Sequence, residues 1–231
     1  CLKMEDPGGA EFTELKSDSY RIQLYQKKDG ESSVRIGKAV AEIDASAEEV
    51  LAWRWDWCSR EKMRIHREDP RSISRSVVKD IAINNSIVET TKQFPFPFKN
   101  REFVIQTAWN GPDIDGAFLF CWESIDFQSE SGAIRADSRG SMKLTPIGSR
   151  RCEFMILQRI DPKGFIPPWV ANMKIKHSLS TPEELHACFD RDDEIDQVDH
   201  DALVNNIENY TDEGYTVGGL ASIESIQKRA E

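Results

Sequence analysis

Over most of its first two thirds the chain alternates apolar and polar residues with a period of two, the pattern of strands that pack one face and wet the other. Tyr20-Arg21-Ile22-Gln23-Leu24-Tyr25 opens the series and stops at Lys27-Lys28-Asp29-Gly30, which predicts a hairpin turn with a partner strand at 34–43. Ser46-Ala47-Glu48-Glu49 then has the spacing of a capping box, so residues 47 to about 58 are predicted to be helical. Trp53, Trp55 and Trp57 do not share one face of that helix, and their rings are read as core packing rather than as ligand-stacking groups. Strand text resumes near Ile73, with segments at 76–80, 86–92, 101–109 and 117–124. Asn84-Asn85, Phe94-Pro95-Phe96-Pro97-Phe98 and Gly111-Pro112-Asp113 separate them. Two more strands, 133–144 and 152–160, meet across Pro146-Ile147-Gly148-Ser149. No helix of crossover length interrupts these strands, so a parallel sheet is excluded and an antiparallel meander of α+β class is expected.

The last strand runs into an apolar turn. Asp161-Pro162-Lys163-Gly164 uses proline for a fixed φ and glycine for a positive one, and Phe165-Ile166-Pro167-Pro168-Trp169-Val170 then places large apolar groups on a segment expected to face water. Pro167-Pro168 suits the first turn of a helix running through Met173 to Leu179. Thr181-Pro182-Glu183-Glu184 signals a second helix start or a kink. The run from Asp190 to Asp196 is too charged for a core and marks an expected domain edge, followed by short amphipathic pieces at Leu203-Val204-Ile207 and Leu220-Ile223-Ile226.

Charge and cysteine content narrow the setting. A net charge of −10 and a pI near 5.0 argue against nucleic-acid binding and against passive adhesion to anionic membranes, so any membrane contact must be local and transient. Five scattered cysteines without Cys-x-x-Cys spacing fit free thiols in a reducing compartment, and a cytoplasmic location is expected. The longest apolar runs fall far short of the roughly 20 residues of a membrane-spanning helix. The start at Cys1 and the unfinished segment after Leu220 are expected of a piece of a longer chain with further domains.

Three motifs, in order, carry a resemblance. Phe96-Pro97-Phe98-Lys99-Asn100-Arg101-Glu102-Phe103-Val104 is similar to the Pro-x-Arg-Asp-Phe-Val region of the steroidogenic-acute-regulatory-related lipid transfer (START) domains, with Glu102 where aspartate is usual. Ala133-Ile134-Arg135-Ala136-Asp137 resembles the family's Val-Ile-Arg-Ala strand, and Ile160 to Pro167 its Asp-Pro-x-Gly-x-x-Pro lid. The resemblance implies a helix-grip fold: a curved antiparallel sheet wrapped around a long C-terminal helix, with an internal hydrophobic cavity that holds one lipid. It spans a domain at 20–191, after an N-terminal lead at 1–19 and before an acidic appendage at 192–231, possible start of a further module.

Strand parity then sorts the wall. With Glu153 and Arg159 outward, Phe154, Ile156 and Gln158 face inward, and similar parity turns Phe103, Ile105 and Thr107 inward on one strand and Phe120 and Trp122 on another. Glu89, Val170 and Met173 complete the candidate lipid-binding residues. Glu89 stands where the family's sterol binders carry an acidic residue, yet the position of its usual arginine partner is Thr107, which leaves phospholipid, sphingolipid or fatty acyl ligands open. Glu89 therefore faces solvent, pairs elsewhere or meets the ligand's polar head. Arg101 and Arg135 are read as ion-paired within the grip, with Glu102 or Asp137 as partners, ahead of a phosphate contact. Lys174, Lys176 and His177 are read as a solvated face or as a local positive patch for a membrane surface. A wall of this kind would take a lipid tail out of water at about 0.8 kcal/mol per methylene. No nucleophile elbow, phosphate-cradling glycine loop or His-Glu-x-x-His spacing occurs, so neither an enzyme nor a metal or other cofactor is expected. The competing class is a non-catalytic regulatory or scaffold module that binds another protein.

Overall fold

The structure, a computed structural model, describes residues 12–29, 34–127, 132–164, 166–167 and 179–209. Ten strands form one curved sheet: β1 (Thr13–Leu15), β2 (Ile22–Lys28), β3 (Arg35–Ile43), β4 (Ser72–Ala82), β5 (Asn85–Lys92), β6 (Arg101–Asn110), β7 (Phe118–Ser124), β8 (Ile134–Arg135), β9 (Asp137–Gly148) and β10 (Arg151–Asp161). Their order is β1-β2-β3-β10-β9-β7-β6-β5-β4, antiparallel throughout, with two-residue β8 pairing parallel to β6 beyond the end of β7. The eight expected strands are all present. β1 is an addition, and the segment expected at 133–144 divides at Ala136 into β8 and β9.

Helix α1 (Ala47–Trp55) begins at the expected box, with Glu49 N–H donating to Ser46 Oγ and Ser46 N–H to Glu49 Oε2. It stops at Asp56, so Trp57 and Cys58 lie in the turn beyond it rather than on the helix. Helix α2 (Arg60–Glu68), capped by Ser59, has no counterpart in the sequence pattern. Helix α3 (Thr181–Cys188) carries its proline in the first turn but starts from Ser180 rather than Thr181. Val50 and Leu51 of α1 and Leu185 of α3 share one buried cluster with the sheet's apolar rows, which fixes the face the helices cover. The long helix expected from 168 lies outside the described residues up to 178, as do Phe165, Trp169, Val170, Met173, Lys174, Lys176, His177 and the pieces after 209.

Residue contacts divide the chain into a unit at 1–190 and a second at 191–231. In the second, α4 (Asp192–Glu208) opens on Asp192, Asp193 and Glu194 at its electropositive end, where acidic groups stabilise a helix. It leaves Val198, Leu203, Val204 and Ile207 exposed.

Candidate functional site

The strand registers put side chains into rows across the helix-covered face. One row runs Leu24, Ala39, Ile156, Met142, Phe120, Trp109, and the next Gln158, Gly140, Trp122, Thr107, Ser86. Phe154 lies beside Leu144 in a third, Ile105 beside Val88 in a fourth, and Phe103 beside Thr90. Parity therefore placed Phe103, Ile105, Thr107, Phe120, Trp122, Phe154, Ile156 and Gln158 on a common face. All but Phe103 are buried, and Phe103 is half-buried. The Trp122 indole lies against the backbone of β9: a Cβ on Gly140 would stand 2.3 Å from its Cζ2 and 2.6 Å from the Leu157 carbonyl oxygen. Trp122 Nε1 donates to Ser138 Oγ at 3.1 Å, and Thr107 Oγ1 is 3.0 Å from Ser86 Oγ, so these inward polar atoms have partners within the sheet.

Glu89 is the correction. It pairs with Val104, one position out of phase with Phe103 and Ile105, and so projects from the opposite face of β5, where its carboxylate accepts from Ser76 Oγ at 2.9 Å. Of the three readings left open by the sequence, the register excludes contact with a ligand head on the inner face: Glu89 is half-buried on the other face and hydrogen-bonded there.

The two motif arginines have different partners. Arg135 pairs with the buried Glu102 at 2.9 Å. Arg101, almost fully buried, instead donates to the carbonyls of Pro162 (2.6 Å), Lys163 (3.1 Å) and Lys99, and lies 4.8 Å over the Phe94 ring. Burial lowers its pKa, and the carbonyls supply the acceptors that a carboxylate would otherwise provide. Arg101 thereby ties the start of β6 to the Asp161-Pro162-Lys163-Gly164 turn. Lys163 and Gly164 both adopt positive φ there, 52° and 72°. A Cβ on Gly164 would sit 3.2 Å from Ile134 Cδ1, so glycine relieves the turn and lets it close on β8.

The sequence reading passed over a cluster at the other end of this face. Arg54 of α1 reaches down onto the wall, its guanidinium carbon 4.8 Å from the Phe120 ring, 5.6 Å from Trp122 and 5.3 Å from Trp57. Arg75 of β4 lies 3.7 Å over the same Trp57 ring and donates to the Trp57 carbonyl at 2.7 Å. Lys62 of α2 stands 4.2 Å over Trp53 and donates to the carbonyls of Trp53 and Asp56, closing the C-terminal end of α1. Burial, then Arg75, depresses Arg54 to about 10 against a smaller opposing pull from Glu184. Burial, then Arg54 and Arg75, brings Lys62 down to about 7. The legible signal was Trp53-Arg54-Trp55, a cation between two aromatics on a helix whose rings were expected inside.

A cleft of about 370 Å³ between Trp55 and Asp80, Ile81, Ala82 and Ile83 includes none of the expected site residues. Among the described residues no group of histidine, cysteine and carboxylate side chains has the arrangement of a metal site, and no helix is long and apolar enough to cross a membrane.

The START domain model matches residues 22–181, well over half of the chain. The chain belongs to the START family. Solved structures of START-type proteins share its fold. The human StarD13 (DLC2) lipid transfer and protein localization domain aligns at TM-score 0.62 and 21% identity, covering 77% of this chain and 88% of that one. A STAR-related lipid transfer protein fragment from Xanthomonas axonopodis aligns at 0.64 and 20%, covering 78% and 98%. Human STARD10 aligns at 0.64 and 18%, covering 81% and 76%. No curated protein matches the sequence significantly. The curved antiparallel sheet is the START helix-grip, and membership supports hydrophobic-ligand binding as a general property of this domain.

Proposed function

We propose that residues 20–191 hold one lipid or similar hydrophobic molecule in a tunnel along the helix-covered face of the sheet, for transfer between membranes or for sensing. Ile105, Thr107, Phe103, Phe120, Trp122, Phe154, Ile156 and Gln158 form its wall, Glu89 has no part in it, and Val170 and Met173, outside the described residues, are kept as lipid-binding candidates. The observation that carries the reading is the continuous row of inward groups from Ile156 to Trp109 and from Gln158 to Thr107, apolar apart from a few paired polar atoms. That lining suits an alkyl chain, which asks for buried area and little else. The domain acts without catalysis and meets a membrane surface only in passing, in the cytoplasm.

Native mass spectrometry of the purified chain, followed by liposome-to-liposome transfer, tests this. One bound lipid per chain with transfer supports a carrier, and bound lipid without transfer supports a sensor. Absence of both overturns the lipid reading and leaves a regulatory or scaffold module. The acidic α4, with Val198, Leu203, Val204 and Ile207 exposed, is what favours that second reading for residues 192–231.

A further inference from the structure

We infer that Arg54 and Arg75, backed by Lys62, form an anion-binding site at one end of the inner face, taking the phosphate or carboxylate head of an amphiphile whose chain lies along Phe120 and Trp122. The inference rests on the lipid reading and adds the charge of the ligand to it.

Three cations from three different elements converge on the aromatic groups Trp53, Trp57, Phe120 and Trp122. Among the described residues, none of the three has a carboxylate within ion-pair distance. The carboxylates that pull on them are Asp56, which acts on Lys62, and Glu184, an exposed group of α3 that already accepts from Ser180 Oγ at 3.0 Å. Lys62 spends donors on two carbonyls and Arg75 spends its Nε on a third. Among the described residues Arg54 has only ring faces beneath it, which attract its charge but use none of its five N–H donors as a carboxylate or phosphate would. Its side chain is half-buried.

Burial first, and then the neighbouring like charges, push the pKa values of Arg54 and Lys62 down. A single anion bridging the two guanidiniums would offset the like charges. Such a fork suits phosphate or carboxylate geometry. An anion would also draw a proton onto Lys62, whose surroundings are Arg54 on α1, Arg75 on β4, Asp56 in the α1–α2 turn and Glu184 on α3.

The test is calorimetry on the whole chain with palmitoyl-lysophosphatidylglycerol, whose phosphodiester keeps one charge across neutral pH, and with monopalmitin, which shares its chain and has no charge. We expect the anionic lipid to bind about tenfold or more tightly than the neutral one, the scale of a charge-assisted hydrogen bond. The Arg54→Gln, Arg75→Gln double variant should bring that ratio close to one. In wild type at pH 8, runs in buffers of different ionisation enthalpy should show net proton uptake with the anionic lipid and none with monopalmitin. This second readout needs no variant to fold. Equal affinity for the two lipids, or no proton uptake, overturns the anion site while the lipid reading stands. Binding of neither lipid overturns the lipid reading itself. Inorganic phosphate alone binding as tightly as the anionic lipid would assign the cluster to a free anion and overturn the amphiphile.

Discussion

The two ends of the inner face are built on opposite terms. At the β2-β3-β10-β9 end, Ile22, Ala41, Phe154 and Leu144 stand in one row and Leu24, Ala39, Ile156 and Met142 in the next, all essentially inaccessible to water. Nothing polar interrupts them, and their stability is that of close packing. At the β6-β5-β4 end, Phe103, Thr90, Trp109 and Arg75 remain half-buried, Val77 is 41% exposed, and the side chain lying over Phe120 and Trp122 is an arginine. One end is apolar throughout. The other brings rings and cations together with, among the described residues, no carboxylate at ion-pair distance.

The largest effect that sharpens this contrast belongs to the closed end. Leu144→Ala should cost about 2–5 kcal/mol in urea unfolding, the range for deleting a fully buried leucine where neighbours do not collapse into the gap. A loss well under 1 kcal/mol would mean that this end is loosely packed as well, and the contrast would vanish.

At the seam between the ends, Gly140→Ala sets a methyl group against both the Trp122 ring and the Leu157 carbonyl. Overpacking of this sort costs about 1–3 kcal/mol, and here it should also shift Trp122 emission as the indole leaves the β9 backbone. A silent substitution would show that Trp122 has room to move.

A further effect is a pH slope at the charged end. Lys62 holds its proton only to about pH 7 when folded, against 10.5 ordinarily, so between those values the unfolded chain binds more protons. Its contribution makes the fold more stable as pH rises through that window and is flat below it. Lys62→Met should remove that part of the slope in urea midpoints recorded from pH 7 to 9. Parallel wild-type and variant profiles would place the Lys62 ammonium in water.

These regions also differ in how far the sequence disclosed them. Period two is unambiguous where one face packs, which is why parity found Phe154, Ile156, Gln158, Phe103, Ile105, Thr107, Phe120 and Trp122 together. Glu89 was chosen by resemblance of position instead, and its register with Val104 puts it on the other face. Helix α2 escaped notice because Met63 and Ile65 are its sole apolar residues. It rests on the Ser59 cap and on Arg64 bonded to Glu61 and Glu68, interactions that leave no hydrophobic period to read. Arg101 was expected to find a carboxylate, but the chain turns carbonyls toward it from more than sixty residues away, a contact that no spacing rule encodes. Arg54 and Arg75 meet on Trp57 only once α1 and β4 are folded against each other.

In the proposed complex an acyl chain lies against Trp122 on the inner face. Titrating the protein with a phospholipid brominated midway along its acyl chain tests it directly, since bromine quenches only an indole in contact. Saturable quenching at one lipid per chain is expected, with the largest share lost in Trp122→Phe. Quenching that is absent, or unchanged in Trp122→Phe, would contradict it.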